Sequence, residues 1–404
     1  MTEHDPEPPD PGGAPPRRAD PGRPDDGSPL RVGVVGAGFI SAQYSQTLRR
    51  LPQLRVAAVA DAVPGRAEAL AAEHAGARAL GLEALLADDE VDVVLNLTLP
   101  AGHADVARQA LAAGRHVYGE KPLATSREDG RSVLRAAEKA GLRVGCAPDT
   151  VLGTGVQTAR ALVDDGAIGV PHAATAFMTT PGHERWHPQP DFYYAPGGGP
   201  LQDMGPYYVS ALVHLLGPVV RVTGASTRSR EERVVGSGPR EGERVPVTVD
   251  THVTGVLEHA SGALTTLVMS FDAWAAHLPN LEVHGSEGSL SVPDPNYFDG
   301  VVEVARAGEQ PLRGHVWEDV GLRAGYLGAG RGHGLADLAL ALRAGEPHRA
   351  SAELALHVVD VMACLEEAAA SGTGAATTTT CERPAAVPGL VDLSASAGRE
   401  STRG

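Results

Sequence analysis

The sequence predicts an α/β fold that begins with a doubly wound parallel sheet and continues as an α+β domain with a large, mostly antiparallel open sheet. In the first third of the chain, short β-branched runs alternate with Ala- and Leu-rich stretches, which is the pattern of βα units. The later part instead contains strand-like runs joined by short turns. A length of 404 residues also exceeds the usual size of one domain.

The predicted strands of the first domain read as nearly continuous apolar runs, as expected for strands buried on both faces. They cover residues 31–35, 55–60, 91–97, 116–118 and 143–146, and the helix-compatible stretches cover residues 64–74, 103–113 and 126–140. In the second domain, strands are predicted at residues 172–180, 219–228, 248–257, 263–271, 281–284 and 289–292, and helices at residues 203–216, 335–344 and 352–369.

Four segments follow from this pattern and from composition. Residues 1–29 are rich in proline and nearly devoid of apolar residues, so we expect a disordered tail. Residues 30–150 form the first domain and residues 151–390 the second, with a closing helix and strand that can return to the first. Residues 391–404 are expected to be a loose tail.

Composition restricts the possible partners. The formal net charge of −16 disfavours nucleic acid and anionic membrane surfaces. The sequence shows neither a membrane-spanning apolar run nor a secretory signal. The three cysteines are far apart and lack a CxxC pair, which is typical of a reducing compartment. We therefore expect a cytoplasmic protein that binds a small molecule, without nucleic acid or membrane.

Residues 30–41 predict a strand, a glycine turn and a helix. Gly36 permits a tight turn, Gly38 lets the backbone approach a pyrophosphate, and Ser41 is small enough for close helix–strand packing. About 20 residues further on, Asp61 ends the second strand, where a carboxylate binds the adenosine ribose and repels a 2′-phosphate. The pattern predicts a Rossmann dinucleotide site that prefers NAD to NADP, although Arg66 could weaken that preference. The further cofactor-binding candidates are Phe39, Ile40, Thr98, Pro100, His103, Glu120 and Lys121.

Three segments together resemble the glucose–fructose oxidoreductase / inositol dehydrogenase / MocA (Gfo/Idh/MocA) family. They are the glycine turn, the motif Glu120-Lys121-Pro122, and the GGGxLxDxGxY segment of residues 197–207. The resemblance covers about residues 30–390 and implies homo-oligomers, dimers or tetramers. It also implies that Lys121 is the catalytic lysine and Asp203 the motif aspartate. Tyr207 occupies the position where the family most often has histidine, which leaves the proton carrier open.

Oxidation of an alcohol requires loss of a hydride and of the hydroxyl proton. Lys121 could polarise the reacting oxygen as an ammonium or accept its proton, Tyr207 could relay that proton, and Asp203 could bind a substrate hydroxyl or orient Lys121. The alternatives are that Lys121 is an exposed loop residue, that Asp203 only caps a helix, and that Tyr207 is a core aromatic residue. Arg331 could contact substrate or only precede a helix.

Aromatic residues in two loops suggest a wall for a sugar ring. The substrate candidates are Trp186, Tyr193, Tyr194, Trp274 and His277. No metal is expected, because prolines at 181, 188 and 190 disfavour the helix that would pair His183 with His187.

The predicted function is an NAD(P)-dependent oxidoreductase acting on a ring carbon or secondary alcohol of a sugar, cyclitol or related polyol. An NAD-dependent glycoside hydrolase or lyase that oxidises the sugar transiently is an alternative, as is a dihydrodiol-type dehydrogenase. A non-catalytic NAD-binding subunit has no need for a proton donor at the site.

Overall fold

The computed structural model describes residues 27–309, 311 and 314–395. Its first sheet has six parallel strands in the order β3-β2-β1-β4-β5-β6. The strands are β1 (Leu30–Val35), β2 (Leu54–Ala60), β3 (Arg78–Ala79), β4 (Val93–Asn96), β5 (His116–Gly119) and β6 (Val144–Cys146). The helices between them are α1 (Ser41–Leu48), α2 (Arg66–Ala71), α3 (Leu82–Ala87), α4 (His103–Ala112) and α5 (Arg127–Ala140). This is the predicted doubly wound sheet.

Helices cover both faces of this sheet, and the central strands are accordingly mostly apolar. Val93, Val94 and Leu95 of β4 have no exposed surface. Helix α3 and the two-residue strand β3 were not predicted from the sequence, because both are too short to show a clear period.

The second sheet has nine strands in the order β16-β15-β14-β13-β7-β12-β11-β8-β18. Its strands are β7 (Pro171–Thr179), β8 (Val219–Thr227), β11 (His252–His259), β12 (Leu264–Ser270), β13 (Leu281–Gly285), β14 (Gly288–Val292), β15 (Glu303–Arg306), β16 (Glu318–Asp319) and β18 (Ala375–Ala376). Strands β7 and β12 pair in parallel, and the other neighbours are antiparallel. The predicted, mostly antiparallel sheet is confirmed.

Helices and two small ribbons complete the second part of the fold. The helices are α6 (Thr154–Asp164), α7 (Asp191–Tyr194), α8 (Pro200–Leu216), α9 (His333–Ala344) and α10 (Ala352–Ser371). The ribbons pair β9 (Glu232–Val234) with β10 (Arg244–Pro246), and β17 (Gly325–Tyr326) with β19 (Leu390–Val391). Helix α6 was not predicted, whereas α8, α9 and α10 lie where the periodicity placed them.

The C-terminal part of the chain contacts the first sheet again. The amide of Cys146 in β6 donates to the carbonyl of Ala350 at 3.0 Å, just before α10. Helix α10 packs against both α5 and β8, and Gln53 donates to the carbonyl of Leu393 at 2.9 Å. The closing elements therefore join the two sheets, while the exact domain limits stay a prediction. The predicted N-terminal tail, apart from its last three residues, and the end of the C-terminal tail lie outside the described residues.

Within the part of the chain that the structure describes, no helix combines the length and apolar character needed to cross a bilayer.

Helix α10 approaches the second sheet closely because β8 and β11 each place a glycine beneath it. A Cβ on Gly224 would lie 2.6 Å from Leu365 Cδ1, and a Cβ on Gly255 would lie 2.5 Å from the same atom. Leu365 is fully buried in the space that these glycines leave open.

We predict that Leu365→Ala lowers the free energy of unfolding by about 2–5 kcal/mol, because it leaves a cavity between α10 and the sheet. Denaturant unfolding followed by circular dichroism measures this change. Leu264→Ala is the matched control, since Leu264 is 50% exposed and its truncation should change stability by less than about 0.5 kcal/mol. Equal losses in the two variants would contradict the packing described here.

Candidate active site

The glycine turn between β1 and α1 has the geometry that a dinucleotide requires. Gly36 has φ +100°, and a Cβ there would lie 2.6 Å from the carbonyl oxygen of Leu97. A Cβ on Gly38 would meet nothing within 4 Å, so this part of the turn is open. The hydroxyl of Ser41 donates to the carbonyl of Gly38 at 2.6 Å and fixes the start of α1. The turn can thus present backbone N–H groups and a helix N-terminus to a pyrophosphate.

Asp61 lies at the end of β2 and supports this turn directly. Its carboxylate accepts from the amide of Ala37 at 2.6 Å and from the amide of Val63 at 2.7 Å. The side chain is partly exposed, and a carboxylate has about four acceptor positions. Asp61 can therefore hold the turn and still accept ribose hydroxyls, which fits an NAD-type cofactor.

The other candidate residues of the nucleotide side differ in accessibility. Phe39 is 91% exposed beside the glycine turn, Arg66 is exposed at the start of α2, and Ile40 is partly buried. Beyond β4, Pro100 is exposed, and the hydroxyl of Thr98 donates to Asn96 Oδ1 at 2.7 Å. These positions line the edge where the parallel strands end.

His103 is buried beside this edge, and its role in cofactor binding stays a prediction. The residue is only 3% exposed. Its Nδ1 lies 2.6 Å from the carbonyl oxygen of Pro122, and its Nε2 lies 2.9 Å from that of Thr98. The imidazole therefore connects the loop after β4 with the loop after β5, and contacts with protein occupy both nitrogens.

Lys121 and Asp203 form the ion pair at the centre of the site. Lys121 follows β5, and its Nζ donates to Asp203 Oδ1 at 3.0 Å and to the Asp203 carbonyl at 2.5 Å. Burial alone would lower the pKa of Lys121, but the charge and hydrogen bond of Asp203, together with Tyr207 and Glu120, outweigh burial, so the pKa is well above the ordinary value. Burial alone would raise the pKa of Asp203, whereas Lys121 and His183 hold it well below the ordinary value. At neutral pH the lysine is an ammonium and the aspartate a carboxylate. The Lys121 side chain is only 16% exposed, so Lys121 is not an exposed loop residue.

Helix α8 places Tyr207 one turn after Asp203. The helix begins at Pro200 with Gly199 at its N-cap position, and no side chain caps it. The alternative that Asp203 only caps the helix is therefore wrong. Residues four apart share one helix face, so the Asp203 carboxylate and the Tyr207 ring both lie next to Lys121. Lys121 Nζ is 5.1 Å from the centre of that ring.

Tyr207 combines a buried ring with a hydroxyl that belongs to the polar cluster. The residue is 3% exposed, and Arg331 Nη2 donates to its hydroxyl oxygen at 2.9 Å. Burial raises the pKa of Tyr207, while the charges of Lys121 and Arg331 act in the opposite direction. The alternative that Tyr207 is a core aromatic residue is correct for its ring but not for its hydroxyl.

Glu120 connects this cluster with the cofactor turn. Its carboxylate accepts from the Tyr44 hydroxyl of α1 at 2.9 Å and from the amide of Lys121 at 3.0 Å. Its Oε1 lies 3.9 Å from Arg331 Nη1. Glu120 is only 8% exposed, so its contacts orient the Glu-Lys loop against α1.

His183 is a site residue whose own role was weighed from the sequence only as a metal ligand, although its loop was expected to lie over the substrate. Its Nε2 lies 3.0 Å from Asp203 Oδ2, so Asp203 has Lys121 on one oxygen and His183 on the other. The His183 ring contacts Tyr193 and Phe271 at centroid distances of 4.6 and 4.4 Å. Only the fold brings these residues together. In the described part of the chain, no three His, Cys, Asp or Glu side chains are grouped as a metal site.

The predicted aromatic wall is only partly present. Tyr193 and Trp186 reach the polar cluster through His183, and Trp186 is 58% exposed. Tyr194 has no exposed surface, and its hydroxyl bonds to Glu184, which counts against its predicted contact with substrate. Trp274 is 67% exposed and stacks with two arginines, Arg185 and Arg230. His277 is exposed further along the same segment.

Comparison with known proteins agrees with this geometry. Residues 30–147 match the oxidoreductase family with an NAD-binding Rossmann fold, and residues 156–291 match the Gfo/Idh/MocA C-terminal domain. The dTDP-3,4-didehydro-2,6-dideoxy-alpha-D-glucose 3-reductase of Streptomyces antibioticus is 31% identical over 66% of this chain and 83% of its own length. The inositol 2-dehydrogenase of Rhizobium meliloti (strain 1021) is 28% identical over 65% of this chain and 75% of its own length.

Solved structures show the same fold. An NAD binding oxidoreductase from Klebsiella pneumoniae superimposes with a TM-score of 0.75 at 24% identity, covering 87% of this chain and 100% of that one. A levoglucosan dehydrogenase in complex with NADH and L-sorbose has a TM-score of 0.74 at 22% identity, with coverage of 87% and 100%. Both halves of the chain and the ion pair between them lead to one conclusion: this protein belongs to the Gfo/Idh/MocA family of NAD-binding oxidoreductases.

Proposed function

We propose that this protein transfers a hydride between NAD and a ring carbon of a sugar or cyclitol, with Lys121, Asp203 and Tyr207 around the reacting oxygen. The observation that carries the proposal is the polar cluster itself. A buried ammonium, a carboxylate and a phenol hydroxyl meet where the parallel strands end, beside the glycine turn. The relatives that act on dTDP-sugars and inositol support a ring carbon as the reacting centre.

The roles of the three side chains follow from their charges. The bound nicotinamide would supply or accept the hydride. Lys121 remains an ammonium at neutral pH, so it polarises the reacting oxygen rather than removing its proton. Tyr207 has a hydroxyl that can give and take a proton. Asp203 keeps Lys121 charged and is itself held by His183.

The NAD preference rests on Asp61. A carboxylate at the end of β2 accepts the ribose hydroxyls and repels a 2′-phosphate. Two backbone N–H groups hold this carboxylate in place, so it does not swing away when a phosphate approaches. Arg66 is the nearby cation that could compensate.

Lys121 should be required for turnover. The wild-type protein should form NADH when given NAD and one member of a panel of monosaccharides, inositols, anhydrosugars and nucleotide-linked sugars. Lys121→Met should lower kcat/KM by at least about 100-fold, because the reacting oxygen loses its electrostatic partner. NADH absorbance measures the turnover of the wild type and of the variant, and tryptophan fluorescence quenching measures NAD binding separately.

Lys139 is the only other lysine of the chain and lies exposed at the end of α5. Lys139→Met is therefore the matched control and should keep wild-type kinetics. Full activity of Lys121→Met would refute the assigned role. NAD binding without net turnover, combined with cleavage of glycosides, would replace the proposed function by the hydrolase alternative.

Cofactor choice should depend on the charge of Asp61. Asp61→Asn removes the negative charge while retaining an acceptor for the Ala37 amide, so the ratio of kcat/KM for NADP to that for NAD should rise by about 10-fold or more. Arg66→Gln should change this ratio in the opposite direction or leave it as it is. A wild-type preference for NADP, or an unchanged ratio in Asp61→Asn, would disprove the role of Asp61.

The Lys121–Asp203 pair should also contribute to stability. Asp203→Asn leaves the Lys121 ammonium buried without its carboxylate and should destabilise the protein by about 3–5 kcal/mol at pH 7. The double variant Lys121→Met/Asp203→Asn should recover at least about 1 kcal/mol relative to the sum of the single variants. Denaturant unfolding of the four proteins measures the coupling, and additive losses would show that the pair is not coupled.

A further inference from the structure

Arg331 is a buried cation in contact with Tyr207, and the proposed function leaves it without a role. It lies in the loop that precedes α9, 124 residues away from Tyr207 along the chain. The side chain is 14% exposed, and its Cζ lies 5.6 Å from the centre of the Tyr207 ring. A guanidinium is costly to bury, so its position at a reacting group requires explanation.

The backbone around Arg331 is held rigidly. Asp149, which has no exposed surface, accepts from the amide of Gly332 at 2.8 Å and from the amide of Gly334 at 3.0 Å. Gly332 has φ +107°, and a Cβ on Gly334 would lie 2.1 Å from the Tyr118 hydroxyl. The backbone of this turn therefore has little conformational freedom, which fixes the direction in which the Arg331 side chain projects.

The guanidinium itself has three neighbours. Nε donates to Gln43 Oε1 of α1 at 3.2 Å, Nη1 lies 3.9 Å from Glu120 Oε1, and Nη2 donates to the Tyr207 hydroxyl at 2.9 Å. Arg331 thus contacts α1, the Glu-Lys loop after β5 and α8 at the same time.

The direction of the bond to Tyr207 matters for proton transfer. Arginine has donors only, so the Tyr207 oxygen must be the acceptor. Its own O–H hydrogen is then free to point at a substrate oxygen. The donors of Lys121 are directed at Asp203 and its carbonyl, so Lys121 faces the ring of Tyr207 while Arg331 contacts the oxygen.

We propose that Arg331 is the positioning residue that makes Tyr207 the proton carrier of this enzyme; the inference rests on the proposed function. In reduction, the Tyr207 O–H bond breaks and its proton moves to the carbonyl oxygen of the substrate as a hydride adds to the carbon. The resulting tyrosinate is stabilised by the guanidinium and takes a proton back from solvent. In oxidation, the tyrosinate accepts the proton of the substrate hydroxyl as the hydride leaves.

The charges that face the Tyr207 hydroxyl determine the expected pH dependence. Lys121 and Arg331 favour the tyrosinate, whereas burial and the carboxylates of Glu120 and Asp203 oppose it. Removal of Arg331 should therefore raise the pKa of Tyr207. Because oxidation requires the tyrosinate, its rise in activity with pH should shift to higher pH. Because reduction requires the phenol, its decline in activity should shift to higher pH as well.

The test compares Arg331→Gln, Arg331→Lys and the wild type in the full chain. In the oxidation direction, the midpoint of the kcat/KM profile should rise by at least about one pH unit in Arg331→Gln. The activity at pH 7.5 should fall by about 10-fold or more for the same reason. Arg331→Lys should restore part of the wild-type midpoint and part of the activity at pH 7.5. Gln43→Ala removes only the contact to α1 and should leave the midpoint where it is.

A second measurement needs no substrate. In protein labelled with ¹³C at tyrosine Cζ, the Tyr207 resonance is identified by its loss in Tyr207→Phe, and its shift is followed with pH. Arg331→Gln should move this titration to higher pH. If the Tyr207 titration has the same midpoint in Arg331→Gln as in the wild type, even with lower thermal stability, Arg331 has only a structural role and the inference is overturned. A moved titration without turnover on any panel substrate would retain the Arg331–Tyr207 coupling and count against the proposed function alone.

Discussion

The Lys121–Asp203 ion pair is the contact on which the active-site geometry depends. Lys121 follows a strand of the parallel sheet, and Asp203 lies on the helix that packs against the second sheet. Both groups are largely removed from water, where an unpaired charge is costly, so neither can leave the other without a large loss of free energy. The pair therefore sets the distance and angle between the end of the parallel strands and α8. The pair also fixes the position of Tyr207, because Tyr207 shares a helix face with Asp203.

A second layer of contacts keeps this pair in one arrangement. His183 occupies the other oxygen of Asp203, and Glu120 holds the amide of Lys121 and the hydroxyl of Tyr44. Each of these groups belongs to a different element, so the cluster forms only when α1, the Glu-Lys loop, α8 and the loop of His183 are all assembled. In a poorly solvated site such bonds are stronger than in water, and a fully satisfied network favours one conformation.

Tyrosine at position 207 changes the chemistry of the site as well as its shape. A phenol is a much weaker acid than an imidazolium, and burial weakens it further. Two neighbouring cations, one over the ring and one on the oxygen, act against that effect. The position of Arg331 is thus understandable as a consequence of the residue that α8 presents, and the buried carboxylate of Asp149 keeps the arginine turn in place.

The sequence alone was sufficient for the βα alternation and the glycine turn, because strand and helix periods and short motifs depend on residues that are close along the chain. Asp61 was proposed from its spacing after that turn, and Lys121, Asp203 and Tyr207 from the motifs that resemble the Gfo/Idh/MocA family. Tertiary structure alone decided which side chains meet. Tyr193 and Tyr194 are adjacent in sequence, yet one contacts His183 and the other is buried against Glu184. The imidazole of His103 is buried between the loops after β4 and β5, and Arg331 contacts the hydroxyl of Tyr207 although the two residues are 124 positions apart in the sequence. Such contacts are set by the packing of the two sheets through α10 and the ion pair, and no local pattern records them.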